Sequence, residues 1–448
     1  MHEWHEQRAW PRVKQGSYLH AMTDFPGAPT RERRPLASQT VTADASAGVI
    51  EELAWRLDDD GAFRERLLTS LHRARDRGRA GLRPALFDAL AWPRDVASYL
   101  GYLRAFATLV PRQTPAPAWR DPSGDGDVYQ ELHDRMVHFY WLVDQGAEGP
   151  GTADVLQADA EFAAWLVRYA QAWGSFLDTP ASLTPATLAS FREHAPDYEV
   201  AAYELPGGRS PVTAGGWQTF NQFFARALPP GARPVTDPDD NRAVTFPADA
   251  ALEASYPIDA DGGFPAITVK HSHAYADVAT LIGEDPDDET GFARAFRGGT
   301  YCHVHLKPYA YHRFHVPVGG RVACVRHLEG RAYLKTGIEN GKLEGYNDAT
   351  NGYEFAQQRG VLVLDTAGGP GGNIGLVAVV PVGMGHVSSV RVTARVGARM
   401  RKGEEFGQFL YGGSDVVLLF ERRAGVELEV APKEEGRVGE VLGRCGEC

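Results

Sequence analysis

A serine preceded by two glycines, Gly412-Gly413-Ser414, lies near the C-terminus between Glu405-Phe406-Gly407-Gln408-Phe409-Leu410-Tyr411 and Asp415-Val416-Val417-Leu418-Leu419-Phe420. Both flanks carry strand-like apolar patterning, and the glycines permit backbone angles and close approaches that a β-carbon would block. The plain reading is a hairpin turn. A chemical reading needs a base for the serine and a group to orient that base. Tyr311-His312-Arg313-Phe314-His315 offers two imidazoles, and Phe246-Pro247-Ala248-Asp249-Ala250 offers a carboxylate just after a strand pattern. Asp249, His315 and Ser414 then form a set in which the carboxylate orients the imidazole and the imidazole removes the hydroxyl proton. The spacing of His312 and His315 sends them to opposite faces of a strand, whereas in a turn both reach one site.

The elements that must position these groups divide the chain by texture. Residues 1–45 are polar, rich in scattered prolines and without sustained periodicity, and read as an irregular arm. Over 46–205 the pattern is helical: Val49, Leu53 and Ala54, then Phe63, Leu67 and Leu71, then Val96, Leu100, Leu103 and Phe106 recur at i, i+3, i+4 spacing. Further helices are expected at 127–145 and 152–176, and Thr184-Pro185 reads as an N-cap followed by a first-turn proline. The stripe Trp141, Trp165, Tyr169, Trp173 and Phe176 reads as core. A Gly/Pro-rich linker, Pro206–Pro211, closes this region. From 215 to 448 short β-branched runs dominate, at 242–246, 321–327, 360–364, 374–380, 387–396 and 416–421. The fold class expected is therefore α+β, a helical N-terminal domain followed by a mainly β domain.

Composition narrows the function. With 46 Lys and Arg against 58 Asp and Glu, the net charge of −12 argues against nucleic-acid partners. No apolar run reaches the roughly 18 residues of a membrane span, and the N-terminus lacks a signal-peptide layout. Four cysteines, Cys302, Cys324, Cys445 and Cys448, are too few for a disulfide framework in 448 residues. A cytoplasmic protein is expected.

Six ordered motifs carry a resemblance. They are Phe223-Phe224-Ala225-Arg226-Ala227-Leu228 with Gly231-Ala232-Arg233-Pro234; Pro247-Ala248-Asp249; Tyr311 to Pro317; Val382-Gly383-Met384 with Val387-Ser388-Ser389-Val390; Lys402 to Gly407; and Gly412-Gly413-Ser414. Together they resemble the phosphatidylserine decarboxylase family over roughly Gly215 to Glu421. The aromatic-Gly-Gly-Ser motif and Ala172-Trp173-Gly174-Ser175-Phe176-Leu177 look like the family's soluble branch, which includes tryptophan decarboxylases.

The resemblance implies self-processing. His315, oriented by Asp249, would deprotonate Ser414, whose Oγ would attack the Gly413 carbonyl. Elimination and hydrolysis would then leave a pyruvoyl cofactor at position 414, with a β-subunit ending at Gly413 and an α-subunit starting at Ser414. The enzyme would be a carboxy-lyase acting on an α-amino acid through a Schiff base, with His312 returning the proton to the α-carbon. Its expected substrate is a free L-amino acid, an aromatic one being the candidate that the branch suggests, with the side chain left open. The alternative is decarboxylation of the phosphatidylserine head group, and a second alternative is a non-catalytic binding module on the same scaffold. His386, Met384 and Gly412 are pocket candidates, and a homo-oligomer is compatible with the sequence.

Two departures from the family pattern stand out, Ala250 where glycine is usual and Asp415 where threonine or serine is usual. The cluster Cys302, His303, His305, His312 and His315, with His271 and His273, has metal-ligating residue types. Two of its histidines are already assigned, and no catalytic metal is expected. Cys445-Gly446-Glu447-Cys448 has no second pair to complete a zinc site.

Overall fold

In the computed structural model the described residues are 41–121, 128–152, 154–203, 216–264, 277–285, 288, 291–346, 357–368, 371–386 and 390–446. The N-terminal arm up to residue 40, the 206–211 linker, His271, His273 and Cys448 lie outside them.

Helices dominate the first half: α1 (Val41–Asp59), α2 (Gly61–Gly81), α3 (Pro84–Ala89), α4 (Val96–Phe106), α5 (Glu131–Trp141), α6 (Ala160–Leu177) and α7 (Pro185–His194). Short polar side chains fix their starts. Asp60 accepts from the Phe63 amide, Asp159 from that of Phe162, and Thr184 and Thr187 close a reciprocal capping box. Such caps contribute about 1 kcal/mol each. Phe63, Leu67, Leu71 and Ala74 fall on the buried stripe of α2, as their spacing requires. On α6 the rings of Phe162, Trp165 and Tyr169 stack in series at 5.3 and 5.1 Å. Two shorter helices, α8 (Phe220–Phe224) and α9 (Val278–Ile282), accompany the second half.

That second half is mainly β. An antiparallel sheet of eight strands runs in the order Arg399–Met400, Gly320–Leu328, Gln358–Asp365, Leu376–Met384, Gly413–Phe420, Thr300–Leu306, Ala250–Pro257, Glu435–Gly436. The Gly413–Phe420 strand is interior, paired along its length with Leu376–Met384 on one side and Thr300–Leu306 on the other. Its continuous apolar run follows from burial on both faces. Val416, Leu418 and Phe420 enter one core, which also holds the helices, while Val417 and Leu419 enter a smaller core with Tyr301 and Phe296.

The hairpin reading of Gly412-Gly413 is not what forms. The preceding strand, Glu405–Phe409, belongs to a different, three-stranded sheet, between Val390–Val392 and Arg313–His315. The glycines carry the chain from one sheet into the other, and Gly412 has φ +151°, a conformation open to glycine and strained for other residues. The helices and the sheets share one compact unit, residues 39–448. A hairpin, Lys335–Glu339 with Lys342–Tyr346, joins them: Asp144 accepts from the Thr336 amide (2.8 Å) and hydroxyl (3.0 Å), and Gln157 bonds both the amide and the carbonyl of Leu334.

Candidate active site

Ser414 is fully buried at the first positions of the central strand, opposite Gly383 and Leu306. Its Oγ lies 3.0 Å from His312 Nδ1. The other ring nitrogen, Nε2, is 3.1 Å from the Pro308 carbonyl. A carbonyl only accepts, so Nε2 carries the proton and Nδ1 is left to accept from the Ser414 hydroxyl. Burial, aided by the positive charge of Arg226, pushes the His312 pKa down to about 3, which keeps the ring neutral. Phe224 stacks on that ring at 3.9 Å and 17°.

Local structure explains this placement. Arg226 is buried and its guanidinium bonds the carbonyls of Tyr198 (3.2 Å), Tyr309 (2.6 Å) and Ala310 (3.2 Å), so it ties α8 to the loop that delivers His312. The Tyr411 amide is held by Asn221 Oδ1 at 3.2 Å, and its ring packs edge-on against Trp173, Phe220 and Phe224. The approach to the glycines is therefore clamped by α6 and α8. On the far side, the buried Lys402 ammonium bonds the carbonyls of Asp237 (2.7 Å) and Ala243 (2.6 Å), which fixes the turn before Glu405–Phe409.

The sequence-based set of Asp249, His315 and Ser414 is not assembled by hydrogen bonds. His315 donates from Nδ1 to the Gly403 carbonyl at 2.7 Å, and its Nε2 accepts from the Tyr311 hydroxyl at 2.9 Å. Asp249 is gripped by the Arg233 guanidinium, with contacts of 3.3, 3.3 and 2.6 Å, and accepts from the Val438 amide at 2.9 Å. Asp249 bears on His315 only through its charge, which opposes the lowering caused chiefly by burial. The Ser414 hydroxyl donates instead to His312 Nδ1, because the strand that starts at Arg313 turns His315 toward the Gly403 backbone.

A second polar cluster was missed. Asp415 is fully buried, with Oδ1 at 2.9 Å from His305 Nδ1 and 3.2 Å from His303 Nε2. Burial opposes its ionisation, but the two imidazoles outweigh that and hold the carboxyl well below the usual carboxylate range. His303 and His305 alternate along the Thr300–Leu306 strand and so share one face. Only the pairing of Asp415 with His305 across the sheet identifies what they face. Among the described residues no group of three His, Cys, Asp or Glu side chains is arranged to hold a metal ion.

Beside Gly412 a cavity of about 470 Å³ opens, lined by Met384, Gly385, His386 and Tyr411, by Met136, Val137 and Tyr140 of α5, and by His305, Lys307 and Lys433. The three pocket candidates, His386, Met384 and Gly412, thus share one wall. Lys307 is paired with Glu435 and Lys433 with Glu253.

A serine held by a neutral imidazole, behind two glycines, is the equipment of a chain that can attack its own backbone. The family model for phosphatidylserine decarboxylase matches residues 220–444. A phosphatidylserine decarboxylase proenzyme of Shewanella loihica is 31% identical over 256 residues, 51% of this chain and 79% of that one. One of Anaeromyxobacter sp. (strain K) is 32% identical over 277 residues, 58% of this chain and 88% of that one. Phosphatidylserine decarboxylase proenzyme 3 of Schizosaccharomyces pombe is 30% identical over 252 residues, 54% of this chain and 24% of that longer one. The chain belongs to the phosphatidylserine decarboxylase family, whose members are carboxy-lyases that use a pyruvoyl group made from a serine by self-cleavage.

Proposed function

We propose that the chain matures by cleavage between Gly413 and Ser414 and then decarboxylates the serine head group of phosphatidylserine. The observation that carries the maturation step is the Ser414–His312 hydrogen bond. His312 Nδ1 takes the hydroxyl proton while Oγ adds to the Gly413 carbonyl; the bond from that carbonyl to the Ser414 nitrogen then breaks, the nitrogen leaves as an amine with the proton, and the amide becomes an ester. Elimination of the Gly413 carboxylate across the Ser414 Cα–Cβ bond, and hydrolysis of the resulting imine with release of ammonia, would leave the pyruvoyl group. Nε2–H on the Pro308 carbonyl and the Phe224 ring hold the imidazole in place. After cleavage both products remain joined, because the Gly413–Phe420 strand is paired on each side with strands of the other fragment. A pyruvoyl group at position 414 would supply the carbonyl that engages the substrate amine and the electron sink for the departing carboxylate.

The head-group reading rests on the relatives, which are phosphatidylserine decarboxylase proenzymes. A specific observation favours a second reading, decarboxylation of a free amino acid. Residues of α5 form part of the cavity wall, and α5 lies outside the span matched by the family model. Carbon dioxide release from phosphatidylserine micelles, free tryptophan and an amino-acid panel separates the two. Release at least about tenfold faster from phosphatidylserine supports the first reading, and the reverse order supports the second. A protein that stays a single band on a denaturing gel overturns the maturation step.

A further inference from the structure

Where α5 meets the turn after the Leu376–Met384 strand, two buried side chains lack hydrogen-bond partners. Neither nitrogen of His386 has one among the described residues, nor does the hydroxyl of Tyr140. Both residues line the cavity beside Gly412, and their rings meet edge-on with centroids 5.0 Å apart. Gly385, just before His386, has φ +56°, a left-handed conformation that favours glycine, and a β-carbon there would meet the Tyr140 ring at ordinary van der Waals distance. Phe139, Phe106 and Trp173 surround the imidazole at 4.4, 5.4 and 5.4 Å.

Buried polar atoms are almost always hydrogen-bonded, so three such atoms on two touching residues in one cavity wall call for a ligand. Met384 pairs directly with Gly413 across the sheet, so His386 sits two residues beyond the neighbour of the scissile bond. Gly412, next to the scissile bond, and His386 line the same cavity.

We propose that Tyr140 and His386 form a substrate subsite that takes an uncharged hydrogen-bonding group remote from the reacting carboxylate. The inference rests on the decarboxylase reading for treating this cavity as the substrate's. Burial pushes the imidazole down to about 3 and the Tyr140 phenol well up, so both are neutral, and an uncharged hydrogen-bonding group satisfies them without burying an unpaired charge. An ester carbonyl of a lipid and a side-chain hydroxyl or N–H of an amino acid share the required chemistry.

The test is ligand binding by calorimetry to the Ser414→Ala chain, which does not turn over. Two pairs differ in that one group: L-tyrosine against L-phenylalanine, and dihexanoyl phosphatidylserine against its diether analogue. In one pair the hydrogen-bonding member should bind at least about tenfold more tightly. Added separately, His386→Phe and Tyr140→Phe should each cut that preference to about twofold or less, with the partner lacking the group unaffected. Tyr140→Phe removes a single oxygen and so guards against misfolding as the cause. The pair that responds identifies the source of the group. No preference in either pair, or a preference that survives both substitutions, overturns the proposal. Failure of the decarboxylase reading is seen separately, as wild-type protein that releases no carbon dioxide from any of the four compounds.

Discussion

Ser414 and Asp415 are adjacent in the chain but face opposite sides of one sheet, and the two sides handle polar groups in opposite ways. Ser414 shares its face with Val416, Leu418 and Phe420 and with the core that includes the helices. Its partner there is a neutral imidazole kept neutral by burial. Asp415 shares the face of Val417 and Leu419, and its partners, His303 and His305, favour its charged form. The period-2 alternation of a strand lets one dipeptide place an uncharged base and a fixed negative charge a residue apart without a direct contact between them. An anion on the Ser414 face would raise the His312 pKa and protonate the base it needs.

The comparison is most directly broken at the imidazole. His312→Phe keeps a ring to stack on Phe224 but removes the nitrogen that accepts from Ser414, and on the proposed maturation self-cleavage should slow by about 100-fold or more, read as the growth of two bands over time. His315→Phe should slow it by less than about tenfold, since His315 touches Gly403 and Tyr311 rather than Ser414. Equal losses from the two substitutions would erase the distinction between them.

On the other face, Asp415→Asn removes the charge that His303 and His305 share, and should lower stability by about 3 kcal/mol in a denaturant titration at neutral pH. The sign of its pH dependence is set by the depressed carboxyl. A group whose folded pKa lies below its unfolded value stabilises fully above that unfolded value, near 4. The gap between wild type and Asp415→Asn should therefore persist at neutral pH and close as pH falls below about 4. A gap that widens on acidification would contradict the ionised assignment.

The smallest expected effect is an absence of change. With His312 held down to about 3, it is already unprotonated across the ordinary range, so the cleavage rate should vary by less than about threefold between roughly pH 5 and 8. An ordinary imidazole, with a pKa near 6.5, would lose about 30-fold by pH 5. A drop of that size would show that the group accepting the Ser414 proton titrates like a solvated imidazole, against the burial of His312.

Much of the architecture was legible wherever local physics decides it. Thr184 caps α7 as its type and the following proline require, and the buried stripe of α2 follows its spacing. The aromatic stripe on α5 and α6 is largely core, yet Trp173 also packs against His386, a dual role that periodicity cannot express. The pairing of the polar groups around Ser414 was less legible. Arg233 stands in a motif quoted from the sequence, but its capture of Asp249 depends on a loop folding back across 16 positions. The hairpin at Gly412-Gly413 was a sound local expectation that failed because its two strands join different sheets.

The α+β order of elements and the serine preceded by two glycines, Gly412-Gly413-Ser414, are legible along the chain. Short-range sterics, capping and burial periodicity act within a few residues, and those rules can be read along the chain. Only the tertiary structure decided that His312 rather than His315 meets Ser414, that Asp415 is shared by His303 and His305, and that α5 brings Tyr140 to His386. Each depends on strand register or on packing between distant segments, where a shift of one residue would turn every side chain to the other face.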